Sequence, residues 1–176
     1  MLKWSNEVKS GDTDNKEGRA AAYYWKNIFN GTYTNFTRDK DGKQPNILLN
    51  YGYAVLRAII ARSLVASGLL PTLGLHHHNR YNAYCLADDV MEPYRPYVDR
   101  LVISCIRTTK IDEDNITLDQ KKVLLSLPTL DVTIEGKRSP LMIAAGQTAA
   151  SLAKCFLGES RKISYPEIDF TIWQWT

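Results

Sequence analysis

The most continuous apolar stretch in the chain runs from Pro45 and Asn46 to Ser67 and stops at Gly68. Arg57 and Arg62 are its only charges. A helix that is apolar on nearly every side belongs inside a protein, and glycine just past the end is a common left-handed stop. The stretch therefore predicts a buried central helix. Its two arginines and the polar segments around it argue against a membrane span. Downstream, Leu86, Val90, Tyr94, Tyr97, Leu101 and Cys105 recur at helical spacing and mark one face of an amphipathic helix that ends near Thr108. Asp88, Asp89, Glu92, Arg95 and Asp99 take the opposite side. Pro93 and Pro96 remove backbone donors and predict a bend between Glu92 and Pro96. A third amphipathic run covers Ser139 to Leu157, with Ser139 as its cap and Pro140 at its first position.

Shorter patterns fill the gaps. Residues 1 to 11 read as a short helix stopped by Gly11. The next helix opens around Asp12 to Gly18, where Asp14 and Glu17 have the spacing of a capping box. Residues 30 to 45 lack periodicity and read as a mobile surface loop, with Arg38, Lys40 and Lys43 as solvated charges or, the other reading, contacts to DNA phosphates. A short helix is expected over Leu118 to Leu127, broken before Pro128. Asp131 to Arg138 alternates and turns like a hairpin. From Tyr165 the tail alternates Ile168, Phe170 and Ile172 against polar neighbours, as a strand or an extended arm would, docked on this domain by default and on a partner as the alternative. The expectation is a mostly α fold: a single helical domain over 1–176, built around a buried central helix, with at most one small β-hairpin.

Composition narrows this only modestly. With 176 residues and 44% hydrophobic content, the chain can bury one good core. A net charge of +3 is compatible with a nucleic-acid partner without requiring one. Cys85, Cys105 and Cys155 are widely spaced and form no CxxC pair, which fits a reducing, cytoplasmic compartment and not structural zinc. The opening residues lack a signal-peptide apolar run. The sequons at Asn30, Asn35 and Asn115 carry no weight without secretion.

Candidate chemistry gathers in one stretch. His76, His77 and His78 are all the histidines in the protein, and Asp88, Asp89 and Glu92 follow shortly after. Imidazole and carboxylate together suit Mg²⁺ or Mn²⁺, or a general acid and base. A surface histidine cluster beside a solvated acidic face is the other reading, and both stay open here. Asp89 and Glu92 lie three residues apart on one helix, so their like charges repel, and a cation between them would relieve the repulsion.

Three ordered segments carry a resemblance. They are Leu49-Asn50-Tyr51-Gly52-Tyr53, then Gly74-Leu75-His76-His77, then Ala87-Asp88-Asp89-Val90-Met91-Glu92-Pro93-Tyr94-Arg95-Pro96. Together they closely resemble the CRISPR-associated Cas-one integrase/endonuclease family, nearest its type II branch, over about Val8 to Ala145. The resemblance implies a helical catalytic lobe that works as a metal-dependent DNA endonuclease/integrase. A spacer 3′-hydroxyl would attack a phosphodiester at a repeat boundary in a transesterification. It further implies Glu17, His77 and Glu92 as catalytic ligands of Mg²⁺ or Mn²⁺, with His77 placed three residues after Gly74. Asp89 would be a supporting acid, and Arg95 and Tyr51 would lie near the DNA. For Glu17 the capping role remains open, as does a core-packing role for Tyr51. The implied partners are DNA (spacer precursor and CRISPR repeat), the Cas-two adaptation protein and a second copy of the chain, with no membrane. The family carries a β-rich domain before the matched segment, so a chain without that domain is expected. The alternative is then a truncated helical interaction or scaffold module that keeps the ligands but is inactive alone.

Overall fold

The computed structural model describes residues 15–29, 31–33, 36–76 and 78–168. Within them the chain forms α1 (Lys16–Ile28), α2 (Asn46–Ala66), α3 (Cys85–Met91), a 3₁₀ turn (Glu92–Tyr94) and α4 (Arg95–Thr108). Then come α5 (Leu118–Leu125), a second 3₁₀ turn (Leu127–Thr129), β1 (Asp131–Ile134), β2 (Lys137–Pro140), α6 (Leu141–Phe156) and β3 (Pro166–Glu167). The architecture is mostly α with one small sheet. The helix expected over residues 1–11, the tail from residue 169 and the sequons at Asn30 and Asn35 lie outside the described residues.

The central helix is where the apolar pattern puts it. Leu48, Leu49, Leu56, Ile60 and Leu64 of α2 are fully buried, and α3, α4, α5 and α6 pack around it. It is long and apolar enough to cross a membrane, but here it is the core around which the other helices are laid. Gly68, at φ +77°, ends it as the pattern predicts. Gly68 N–H donates to Val65 O at 3.0 Å and Leu69 N–H to Leu64 O at 2.9 Å, which closes the last turn with a left-handed residue. Gly52 permits close helix packing, because a Cβ there would stand 2.5 Å from Val98 Cγ1 on α4.

The predicted bend is present as a break into three pieces. Pro93 and Pro96 each fall in the first turn of a new helical segment, where a missing N–H costs nothing. Tyr94, at the break, is fully buried and its hydroxyl lies 2.7 Å from that of Thr148 on α6.

Other boundaries moved. Ser139 does not cap α6; it is a buried strand residue paired with Val132, and the helix begins at Leu141. Pro140 explains the shift, since its ψ of 140° is extended and keeps the chain in the strand for one more residue. The hairpin turns through Glu135 and Gly136, at φ 51° and 71°, the left-handed pair that a two-residue connection favours. A third strand, β3, joins the free edge of β1 to give the order β2-β1-β3, all antiparallel. The loop before α2 is pinned, contrary to the expectation of mobility. Gln44 is buried and donates to Asn115 O at 2.6 Å and to Gln120 Oε1 at 3.1 Å. Arg38 is not a solvated charge: its two Nη atoms donate to Asn46 Oδ1 at 2.9 Å and Asn50 Oδ1 at 2.6 Å. Lys43 stays exposed and pairs with Asp114 at 2.9 Å.

Candidate active site

The turn that carries the histidines is fastened to α3 from both ends. Pro71 O accepts Leu86 N–H at 2.7 Å, which satisfies a donor at the start of α3. Asp89 Oδ2 accepts Leu75 N–H at 2.6 Å and His76 N–H at 2.9 Å. The supporting acid therefore holds backbone with that oxygen. Its neighbour Asp88 is buried, not solvated. Its two oxygens accept from Arg57 Nε and Asn82 Nδ2, both at 2.7 Å. Arg57 also lies over the Tyr84 ring at 6.0 Å.

Glu17 and Glu92, distant in sequence, line one open cleft of about 560 Å³ together with Leu75, His76 and Asp89. His77 lies outside the described residues. Among the described residues no three His, Cys, Asp or Glu side chains are close enough together to hold a metal ion. The two glutamates of the resemblance thus share a cavity. The capping reading of Glu17 changes as well. Asn15 holds the N-cap position, at φ 48°, which makes Glu17 the second helical residue and not the third that a capping box needs. Asp14 itself is outside the described residues.

Arg95 orients Glu92: its Nη2 meets Glu92 Oε1 at 2.9 Å, one turn back. Its guanidinium lies 5.1 Å from the centre of the Tyr53 ring. Arg95 Nε is buried and has no hydrogen-bond partner among the described residues. Tyr51 is partly buried and packed against the core. Its motif neighbour Tyr53 makes the polar contact instead.

That contact is to Asp99, only 2% exposed. Tyr53 Oη donates to Asp99 Oδ1 at 2.5 Å, and Tyr24 Oη, on α1, donates to Oδ2 at 2.6 Å. Burial pushes the Asp99 carboxyl up to about 6, although the two hydroxyls and the charges of Arg95 and Arg38 pull the other way. The helical spacing puts Asp99 on the polar face and gives it no partner. Tyr53 stands out in the sequence only as the last residue of the Leu49–Tyr53 segment, and Tyr24 does not stand out. The only signal that could have joined them is that a polar face opposite a core helix still meets whatever else packs there.

A family model described as CRISPR associated protein Cas1 matches residues 7–135. The chain belongs to the Cas1 family. It is 36% identical over 165 residues to the CRISPR-associated endonuclease Cas1 of Neisseria meningitidis serogroup C (strain 8013), covering 93% of this chain and 53% of that protein. It is 38% identical over 105 residues to the CRISPR-associated endonuclease Cas1 2 of Saccharolobus solfataricus, covering 54% of this chain and 32% of that one. A solved casposase bound to integration product superposes with a TM-score of 0.70 at 23% identity, over 94% of this chain and 51% of the other. That likeness is one of fold. The chain spans about half the length of the Neisseria relative and of the casposase.

Proposed function

We propose that this chain is the helical lobe of a divalent-cation-dependent DNA nuclease and strand transferase of CRISPR adaptation. The observation that most supports the reading is the meeting of Glu17 and Glu92 in one cleft, beside the turn that carries the histidines, in a chain of the Cas1 family. Carboxylate oxygens with a neighbouring imidazole are a donor set that suits Mg²⁺ or Mn²⁺. Glu17, Glu92 and, by family resemblance, His77 would hold the ion. Bound there, it would supply charge stabilisation to the attacked phosphate and the leaving oxygen.

The protein's own contribution is placement. Arg95 fixes the Glu92 carboxylate by its 2.9 Å ion pair. Asp89 fixes the His76 backbone, and with it the approach to His77. No covalent nucleophile is needed: a spacer 3′-hydroxyl, or water, attacks the phosphodiester directly. Spacer precursor and CRISPR repeat DNA, the Cas-two protein and a second copy of the chain are the partners of this reading, in the cytoplasm. The test is a gel assay of branched-DNA cleavage and strand joining, with Mn²⁺ and with EDTA. Cleavage that survives EDTA would end the metal-dependent reading.

A further inference from the structure

We infer that Asp99 is a positioning residue that sets Glu17 against Glu92, by docking α1 onto α4 through Tyr24 and by holding the Tyr53 ring on which Arg95 rests. The importance of that placement rests on the functional reading above; the docking itself does not.

Glu17 and Tyr24 stand seven residues apart on α1, so they lie on the same side, separated by about 10 Å along the axis. Glu92 and Asp99 stand seven apart across the break into α4. Tyr24 reaches Asp99 Oδ2 at 2.6 Å, which ties the helix of one glutamate to the helix that follows the other. Around Glu17 the start of α1 is largely exposed, from Glu17 to Arg19, and buried anchors come only at its end, with Ile28 and Phe29. Apolar contacts at one end of a helix do not by themselves fix its rotation about its own axis. A hydrogen bond to a charged, buried acceptor is directional and short.

The same carboxylate serves the second glutamate. Tyr53 donates to Asp99 Oδ1 at 2.5 Å, which fixes the ring that carries Arg95 at 5.1 Å and, from another direction, Arg38 at 5.7 Å. Arg95 in turn holds Glu92 at 2.9 Å. A buried carboxylate is a poor way to gain stability, since an apolar side chain of similar volume is often as good or better. What it provides here is direction, toward two tyrosines on two different helices.

The test uses Tyr24→Phe, Asp99→Leu and Asp99→Asn in the whole chain. Mn²⁺ affinity is measured by calorimetric titration, and amide exchange across α1 is followed without metal. Val102→Ala serves as a core control that loosens α4 packing without touching the carboxylate. A loss of Mn²⁺ affinity is expected for Tyr24→Phe and Asp99→Leu. Both should speed exchange across Lys16–Ile28. Asp99→Asn can still bond each hydroxyl, by its carbonyl and its amide, and should restore near wild-type behaviour. Val102→Ala should lower thermal stability and leave Mn²⁺ affinity unchanged. If the wild type binds Mn²⁺ and Tyr24→Phe binds it equally well, the positioning role is overturned while the functional reading stands. If the wild type binds no Mn²⁺, the functional reading falls and exchange decides alone. Faster exchange in Tyr24→Phe then supports the docking, and unchanged exchange overturns it.

Discussion

Asp89 holds the backbone of His76. Its Oδ2 takes the N–H groups of His76 and Leu75 at 2.9 and 2.6 Å, so a helix carboxylate sets the shape of the turn that presents the histidines. Asp89→Ala should release that turn. Hydrogen bonds to a charged group are worth roughly 1.5–3 kcal/mol when protected, and this pair is partly exposed, so a loss of about 1–2 kcal/mol is expected. The more specific outcome is local: amide exchange at Leu75 and His76 should accelerate well beyond that of α2. Asp89→Asn keeps an acceptor and should stay close to wild type. Equal protection of those two amides in Asp89→Ala would remove the anchoring role.

Two helical glycines should respond in opposite directions to the same substitution. Gly52→Ala places a Cβ 2.5 Å from Val98 Cγ1, and a β-branched side chain has little room to turn away. Overpacking of this kind costs about 1–3 kcal/mol, more than the gain of up to about 1 kcal/mol that alanine offers a helix. Gly146, in α6, has nothing within 4 Å of its added Cβ, so Gly146→Ala should stabilise by up to about 1 kcal/mol. Urea unfolding of both variants decides. A stabilised Gly52→Ala would mean that α2 and α4 are not in this close contact.

The contrast between these positions also marks how far the sequence could be read. The apolar run, Gly68 and the two prolines announce α2 and the α3–α4 break because each acts through its own backbone. The hairpin is announced by the Glu135-Gly136 pair for the same reason. Ser139 misled because a serine before a proline suits a helix cap as well as a strand end, and the pairing with Val132 that decides between them is not local. Glu17 and Glu92 were singled out by family motif; their common cleft depends on how α1 lies across the bundle, which no spacing encodes. Asp99 shows the limit most clearly. The helical pattern places it away from the apolar stripe, yet it is 2% exposed and takes hydrogen bonds from Tyr24 and Tyr53 on two other helices.

Asp99 gives stability a particular pH dependence. In the unfolded chain its carboxyl titrates near the ordinary value of 3.8, and in the folded chain near 6. Between those values the folded protein keeps a proton that the unfolded chain has released. Stability from this group therefore falls as pH rises from about 4 to 6 and stays flat above. Two pKa units correspond to roughly 3 kcal/mol. Asp99→Asn cannot titrate, so the stability difference between wild type and variant should drift by about that amount in favour of the variant across the window. Denaturant melts at several pH values provide the comparison. A constant difference would show that Asp99 is ionised in the fold throughout.

The cleft itself makes the last prediction. Glu17→Gln and Glu92→Gln preserve volume and hydrogen bonding but remove the anionic oxygen, so each should abolish Mn²⁺-dependent cleavage of branched DNA while the protein melts normally. His77→Ala should do the same, since the glycine-to-histidine spacing of the family motif selects that residue. His76 lines the cleft, where Asp89 accepts its backbone N–H, but the glycine-to-histidine spacing selects its neighbour, so His76→Ala should retain most of the activity. Arg95→Ala should fall between. It frees Glu92 from an ion pair that, being half exposed, contributes at most about 1 kcal/mol to stability, yet it also removes the group that aims the carboxylate. A metal titration separates the two effects: Arg95→Ala should bind Mn²⁺ more weakly, with little change in melting temperature. If Glu17→Gln cleaves as well as wild type, the meeting of α1 with α4 serves the fold alone, and Glu17 leaves the site.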